Sequence, residues 1–206
     1  MEWSFLSLSF PAEKFNVIYA DPPWTFRTWS KEGKGRSPEN HYGCMSLADL
    51  SALPVADLAA EDCALFLWVT DPLLPEGISL MEGWGFRYKT VAFMWAKLNK
   101  SAPPMLLIRD DFFTGLGYWP SANSEMCLLG TRGKPKRVSK SVKRLVISPR
   151  REHSRNPDEV ADRIVQLMGD LPRIELFARQ SRQGWFNWGN DTEKFNEETQ
   201  SAGDFL

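Results

Sequence analysis

Asp21-Pro22-Pro23-Trp24 follows directly on the apolar run Val17-Ile18-Tyr19-Ala20. The run reads as a buried strand, so its end brings a carboxylate, two rigid prolines and a large aromatic ring to one point. Such a set suits a planar base that carries an amino group. Asp21 accepts one N–H, the carbonyl of Pro22 accepts the other, and Trp24 stacks on the base face. An exocyclic amine delocalises its lone pair into the ring and is a poor nucleophile. Two acceptors orient it and make its nitrogen more tetrahedral, so the protein supplies position and electrostatics rather than a strong base. The structural alternative is a plain buried Asp-Pro turn.

Other chemistry-bearing residues fall at or just past expected strand ends: Asp71, Lys97, Glu125 and Arg179. In open α/β sheets ligands bind beyond the carboxyl ends of the strands, which is a simple way for such residues to meet. The elements that would carry them alternate. Phe15–Ala20, Ala64–Val69, Tyr88–Ala96, Glu125–Leu129, Leu145–Ile147, Arg173–Phe177 and Trp185–Trp188 read as strands. Ala64–Val69 is continuously apolar, as a parallel strand buried on both faces requires. Ser46, with Asp49 three residues on, predicts a capped helix running to about Pro54. Asp71-Pro72 opens a second helix that ends near Gly83. Asn156-Pro157-Asp158-Glu159 opens a third, with Pro157 at its first position, acidic residues at the positive end of its dipole, and Val160, Ile164 and Leu167 on one face. Residues 98–120 read as a long loop. The pattern predicts an α/β sandwich around a mostly parallel sheet.

At 206 residues the chain is expected to form one domain, residues 1–206, with its core at about 15–191 and an acidic tail at 192–206. Its 43% apolar and 25% charged content is that of a soluble globular protein. Most of its nine tryptophans are expected in the core, where their large apolar area is best used. The net charge is −1, but residues 132–155 carry ten Lys or Arg against a single Glu152. Lys140, Lys143 and Arg144 in that stretch are candidates for gripping backbone phosphates; a solvated loop is the plainer reading. Three widely spaced cysteines and two histidines exclude a disulfide scaffold and a standard zinc site, so no metal is expected. The start of the chain lacks the pattern of a signal peptide and no apolar run reaches membrane-spanning length, which predicts a cytoplasmic protein.

The chain resembles the adenine N6-methyltransferase family that includes the catalytic subunit of the eukaryotic messenger RNA methyltransferase and bacterial or phage relatives acting on DNA. The resemblance covers roughly residues 15–191 and rests on several pieces in order. They are Ala20 to Trp24, Tyr42-Gly43-Cys44-Met45-Ser46, Leu65 to Thr70, Trp95-Ala96-Lys97, Glu125 to Leu128, Pro157-Asp158-Glu159, Ile174 to Arg179 and Trp188-Gly189-Asn190. It implies a Rossmann-like fold dependent on S-adenosylmethionine, with motifs permuted so that the catalytic one precedes the main cofactor one. The missing glycine-rich cofactor fingerprint agrees with that order. By resemblance Asp21, Pro22, Pro23 and Trp24 form the catalytic motif, and Asp21 also touches the cofactor's ammonium. Arg179, Asn190 and Asp191 contact its ribose. Tyr42 belongs to a gate loop at 25–43, and Trp95, Lys97 and Glu125 line the acceptor region.

The chain departs from the family in places. A lysine that commonly precedes Pro-Asp-Glu and pairs with the cofactor carboxylate is Asn156 here, with Arg155 beside it to take over. A histidine two residues after the family arginine is Ser181. A base inside a duplex must be flipped out before methylation, or be taken from a single strand. No target-recognition domain is apparent, so sequence specificity would be weak or borrowed from a partner or a second copy of the chain. Compactness and the small bacterial and phage relatives favour DNA over RNA as substrate. Two other readings compete: a catalytically weak partner or scaffold subunit, and a methyltransferase for a free nucleoside or small amine. The intact Asp21 motif argues against the first and the basic segment against the second.

Overall fold

The computed structural model describes residues 9–25, 44–103, 106–115, 119–152, 155–190 and 192–195. Seven strands form one sheet: β1 (Phe15–Ala20), β2 (Ala59–Val69), β3 (Arg87–Leu98), β4 (Ser124–Arg132), β5 (Leu145–Pro149), β6 (Arg173–Leu176) and β7 (Phe186–Trp188). Their order across the sheet is β5-β3-β4-β2-β1-β6-β7. Among the described residues β4 alone runs against the rest, antiparallel to both β2 and β3, while β1, β2, β6 and β7 are parallel neighbours and β5 is parallel to β3. The expected mostly parallel sheet is present, with β2, β3, β4 and β5 longer than the sequence pattern suggests and β6 and β7 one residue shorter. β2 begins five residues before Ala64 and β3 runs on through Lys97 and Leu98.

Among the described residues three α-helices cover the sheet: α1 (Leu47–Ala52), α2 (Leu74–Gly83) and α3 (Asp158–Met168). Alternation along the strands divides the core in two. Ile18, Ala20, Leu65, Leu67 and Val69 pack with Leu50 of α1 and Leu80 and Met81 of α2. Val17, Tyr19, Ala64, Phe66 and Trp68 pack on the other face with Val160, Ala161, Ile164 and Met168 of α3. Helices on both faces explain why β1 and β2 are apolar on both sides.

The first helix starts as the sequence predicts, and the other two start later than expected. Ser46 Oγ accepts from the Asp49 N–H at 3.1 Å and Asp49 accepts in return from the Ser46 N–H at 3.3 Å, a complete capping box. Asp71 and Pro72 form a single 3₁₀ turn ahead of α2 rather than its first turn. Pro157 stands one residue before α3, extended at ψ 127°, so Asp158 becomes the first helical residue. Trp68, Trp84, Trp95 and Trp188 are buried as expected, Trp24 and Trp185 are partly buried, and Trp119 is 89% exposed.

Candidate active site

The end of β1 is where the sheet changes direction in chain order, with β2 on one side and β6 on the other. Asp21 emerges there between the ends of its neighbours. After it Pro22 and Pro23 are buried, and the Trp24 N–H donates back to the Pro22 carbonyl at 2.8 Å. That carbonyl keeps a second lone pair, so the acceptor role assigned to Pro22 survives in one direction only. The Pro23 carbonyl accepts from the Met45 N–H at 2.8 Å, and the Trp24 indole N–H donates to the Trp68 carbonyl at 3.1 Å. The motif is thus pinned to β2 and to the segment leading into α1.

Asp21 opens onto a shallow cleft lined by Arg155, Asn156, Glu175, Phe177, Arg179, Gln180, Arg182 and Phe195. Asn156 donates from Nδ2 to Asp21 Oδ2 at 2.8 Å. Burial pushes the Asp21 carboxyl up to about 7. The negative charges of Glu125 and Glu175 add to the rise, while Arg179 and the Asn156 hydrogen bond oppose it.

Trp95, Lys97 and Glu125 meet at the same end of the sheet. Trp95 pairs in register with Glu125, Lys97 is ion-paired to Glu125, and the Lys97 ammonium stands 4.7 Å from the centre of the Trp95 ring. Glu125 arrives from the amino end of β4, not from a carboxyl end, because β4 is reversed. The expectation that all these groups follow strand carboxyl ends is corrected there. Asp71 is exposed and does not line the cleft.

Of the cofactor candidates, Asp21, Arg155, Asn156 and Arg179 converge. Asn190 is exposed just past β7 and is not part of the cleft lining. Tyr42 and Asp191 lie outside the described residues. Lys140, Lys143 and Arg144 precede the start of β5, which pairs with Met94, three residues short of Lys97. The Val138 N–H reaches the Leu167 carbonyl near the end of α3. Through Met94 and Met126, Leu145 is level with Val69 and so with the end of β1. This part of the basic run is separated from Asp21 sideways, leading into the edge strand β5 with β3, β4 and β2 between it and β1. Its later residues behave differently: Arg151 is ion-paired to Asp158, and Arg155 is buried against Phe195 with its guanidinium 4.9 Å from the ring centre.

The polar floor of the cleft is not visible in the sequence pattern. Arg182 donates from Nε to Glu175 at 2.8 Å and reaches Asp158 at 2.8 Å; Asp158 also accepts from Gln180 at 2.7 Å. Burial raises the Glu175 carboxyl against the pull of Arg182. Asp158 is held low by Gln180, Arg151 and Arg182 despite its own desolvation. By sequence alone Asp158 reads as a helix-start residue and Glu175 as a strand residue. The one signal pointing further is their position beside Pro157 and Arg179. Phe177 closes β6 with a left-handed backbone at φ 61°, and the next N–H, of Ala178, bonds the Trp188 carbonyl at 3.0 Å. A strained residue at the lip of a cleft is a common sign of a functional turn.

A model of the MT-A70 family matches residues 15–191. The chain belongs to the MT-A70 family. It is 35% identical over 196 residues to the type II methyltransferase M.MunI of a Mycoplasma species, covering 87% of this chain and 78% of that protein. It is 32% identical over 180 residues to an N(6)-adenosine-methyltransferase MT-A70-like protein of Arabidopsis thaliana, covering 85% of this chain and 23% of the other. It is 29% identical over 181 residues to the human N(6)-adenosine-methyltransferase catalytic subunit METTL3, covering 86% and 28%. The chain thus spans about a quarter of the plant and human proteins. MT-A70 membership makes it an S-adenosylmethionine-dependent methyltransferase, directed at the N6 amine of adenine in nucleic acid. The cleft fits that cofactor. It offers cations (Arg155, Arg179) for an amino-acid carboxylate, carboxylates (Asp21, Glu175) for an ammonium, and Phe177 and Phe195 for apolar parts. Among the described residues there is no cluster of metal-ligating side chains, and no helix is long and apolar enough to cross a membrane.

Proposed function

We propose that Asp21 and the Pro22 carbonyl hold the exocyclic amine of an adenine presented by a polynucleotide, at the mouth of the cleft that binds S-adenosylmethionine. The observation that carries this reading is the position of Asp21. It sits at the end of a buried strand, with one oxygen fixed by Asn156 and the cleft directly beside it. The other carboxylate oxygen is assigned to the amine. When bound, S-adenosylmethionine supplies a methyl group on a positively charged sulfur, already an excellent electrophile. What the chain must add is orientation: two acceptors for the amine, Trp24 held by its bond to Trp68, and the Trp95–Lys97–Glu125 group at the acceptor side. Arg155 and Arg179 are assigned to the cofactor carboxylate and ribose, with Asn190 and Asp191 beyond β7 as further ribose contacts and Tyr42 in a gate. Lys140, Lys143 and Arg144 are assigned to phosphates away from the target base, which suits a polymer that runs on past its reacting nucleotide.

For the polymer, the relatives back RNA better than the DNA favoured on compactness. The plant, insect and vertebrate matches are all named N(6)-adenosine-methyltransferases. DNA stands as a second reading on one observation. The type II methyltransferase is matched over 78% of its length, so the shared region is most of a small enzyme rather than a fragment of a large one. The deciding experiment is methyl transfer from labelled S-adenosylmethionine to matched DNA and RNA, single- and double-stranded, with nucleoside mass spectrometry of the products. N6-methyladenine in one polymer establishes it as substrate. Absence of product from all four, with folded protein that binds the cofactor, overturns the catalytic reading in favour of a partner subunit.

A further inference from the structure

We infer that Asn156 is a positioning residue for Asp21: it clamps one carboxylate oxygen so that the other faces the target amine, and it helps to keep that carboxylate ionised. The inference rests on the catalytic reading of Asp21 above. Three features carry it.

The first is geometry. Asn156 and Asp21 are far apart in sequence, yet the Asn156 amide donates to Asp21 Oδ2 at 2.8 Å. A primary amide cannot ionise, so this donor is present at every pH, and it fixes the rotation of the carboxylate about its Cβ–Cγ bond.

The second is rigidity of the support. Asn156 lies between buried Arg155 and buried Pro157. Two residues on, the Asp158 side chain is tied to Gln180, Arg182 and Arg151. Pro157 restricts the backbone of the residue before it to extended conformations. The amide is therefore delivered from a segment anchored on both sides.

The third is the electrostatic setting. Glu125 faces Asp21 from the start of β4 and Glu175 from β6, both disfavouring its charge. Arg179, beyond β6, favours it; Arg155 and Arg182 line the same cleft, and Cys127 of β4 stands close enough that its own thiol is pushed up by burial and by Asp21. In that balance a fixed neutral donor shifts the Asp21 carboxyl toward ionisation near neutral pH, where the enzyme must work.

Two readouts test this. Carboxyl carbon NMR follows the titration of Asp21 in the isolated protein without cofactor or substrate. The pH dependence of kcat and KM follows the reaction. Asn156→Ala is expected to raise the Asp21 midpoint by about 1, the size of one hydrogen bond to a charged group. It should move the acid limb of kcat upward by the same amount and lower kcat at pH 7 by about 5–10-fold, with partial recovery near pH 9. Asn156→Lys, which places a cation there, is expected to shift both in the opposite direction. An Asn156→Ala protein with an unchanged Asp21 midpoint overturns the inference. So does a loss confined to cofactor affinity, since Asn156 would then act on the cofactor alone. If Asn156→Ala does not fold, the direction of the Asn156→Lys shift decides. A wild-type protein without methyl transfer refutes the catalytic reading, and the NMR titration still reports whether Asn156 controls Asp21.

Discussion

In its proposed role Asp21 needs its charge to hold an amine, and it is placed where burial and two neighbouring carboxylates oppose that charge. Its ordinary value of 3.8 becomes about 7 in the fold. The native state therefore binds this proton more tightly than the unfolded chain does, so the contribution to stability falls as pH rises from about 4 to about 7. Asp21→Asn is expected to melt higher than wild type at pH 8 by a few degrees, about 2–4 °C for each kcal/mol relieved in a chain of this size. The difference should close toward pH 4, as followed by melting curves across that range. The same variant, and Asp21→Ala, should lose methyl transfer by at least about 100-fold while remaining folded. Near-normal transfer by a folded Asp21→Ala protein would remove this residue from the mechanism. In the wild type, transfer is expected to decline as pH falls through about 7, as the carboxylate takes up its proton.

At the scale of elements, the turn after β6 and the end of β7 are locked together. A Cβ at Gly189 would overlap the Ala178 carbonyl oxygen and stand 2.7 Å from the Ala178 nitrogen. Both are backbone atoms of the residue next to Arg179, so the clash cannot be relieved by a side-chain rotation. Gly189→Ala is expected to cost about 1–3 kcal/mol, with weaker S-adenosylmethionine binding by calorimetry because Arg179 moves with its neighbour. The segment before β5 makes a separate prediction. Lys140, Lys143 and Arg144 precede β5, the edge strand that β3, β4 and β2 separate from β1. Reversing their charges should weaken nucleic-acid binding and reduce the slope of log affinity against log salt by about 0.7–0.9 for each phosphate that is no longer neutralised. Their distance from the cleft adds that cofactor affinity should be unchanged. Identical binding across a salt titration would show that the polymer does not cross this surface.

Over the whole molecule, the cleft exists because strands distant in sequence end side by side and α3 is fastened beneath them. Arg182 is the fastening, bonded to Glu175 on β6 and to Asp158 at the start of α3. Arg182→Leu leaves both carboxylates without it and is expected to destabilise the protein by about 3–5 kcal/mol, read from the denaturant midpoint. A shift under about 1 kcal/mol would mean that water or Arg151 replaces it.

The sequence by itself determined the corner proposed as catalytic. Asp21-Pro22-Pro23-Trp24 is contiguous and sits at the end of an apolar run, so local pattern and chemistry coincide there. The capping box at Ser46 and Asp49, the two-sided burial of β1 and β2, and the mostly parallel sheet were legible for the same reason: each is written in residues close along the chain. Tertiary structure decided what depends on pairing. The reversal of β4 brings Glu125 to the working edge from its amino end, and periodicity carries no strand direction. The bond from Asn156 to Asp21 and the Glu175–Arg182–Asp158 floor join residues whose separation along the chain says nothing of their meeting in space. The basic run reads as one patch in the sequence. In space it divides: Lys140, Lys143 and Arg144 lead into the edge strand β5, with three strands between it and β1, while Arg151 beyond it is tied to the start of α3 and Arg155 lines the cleft.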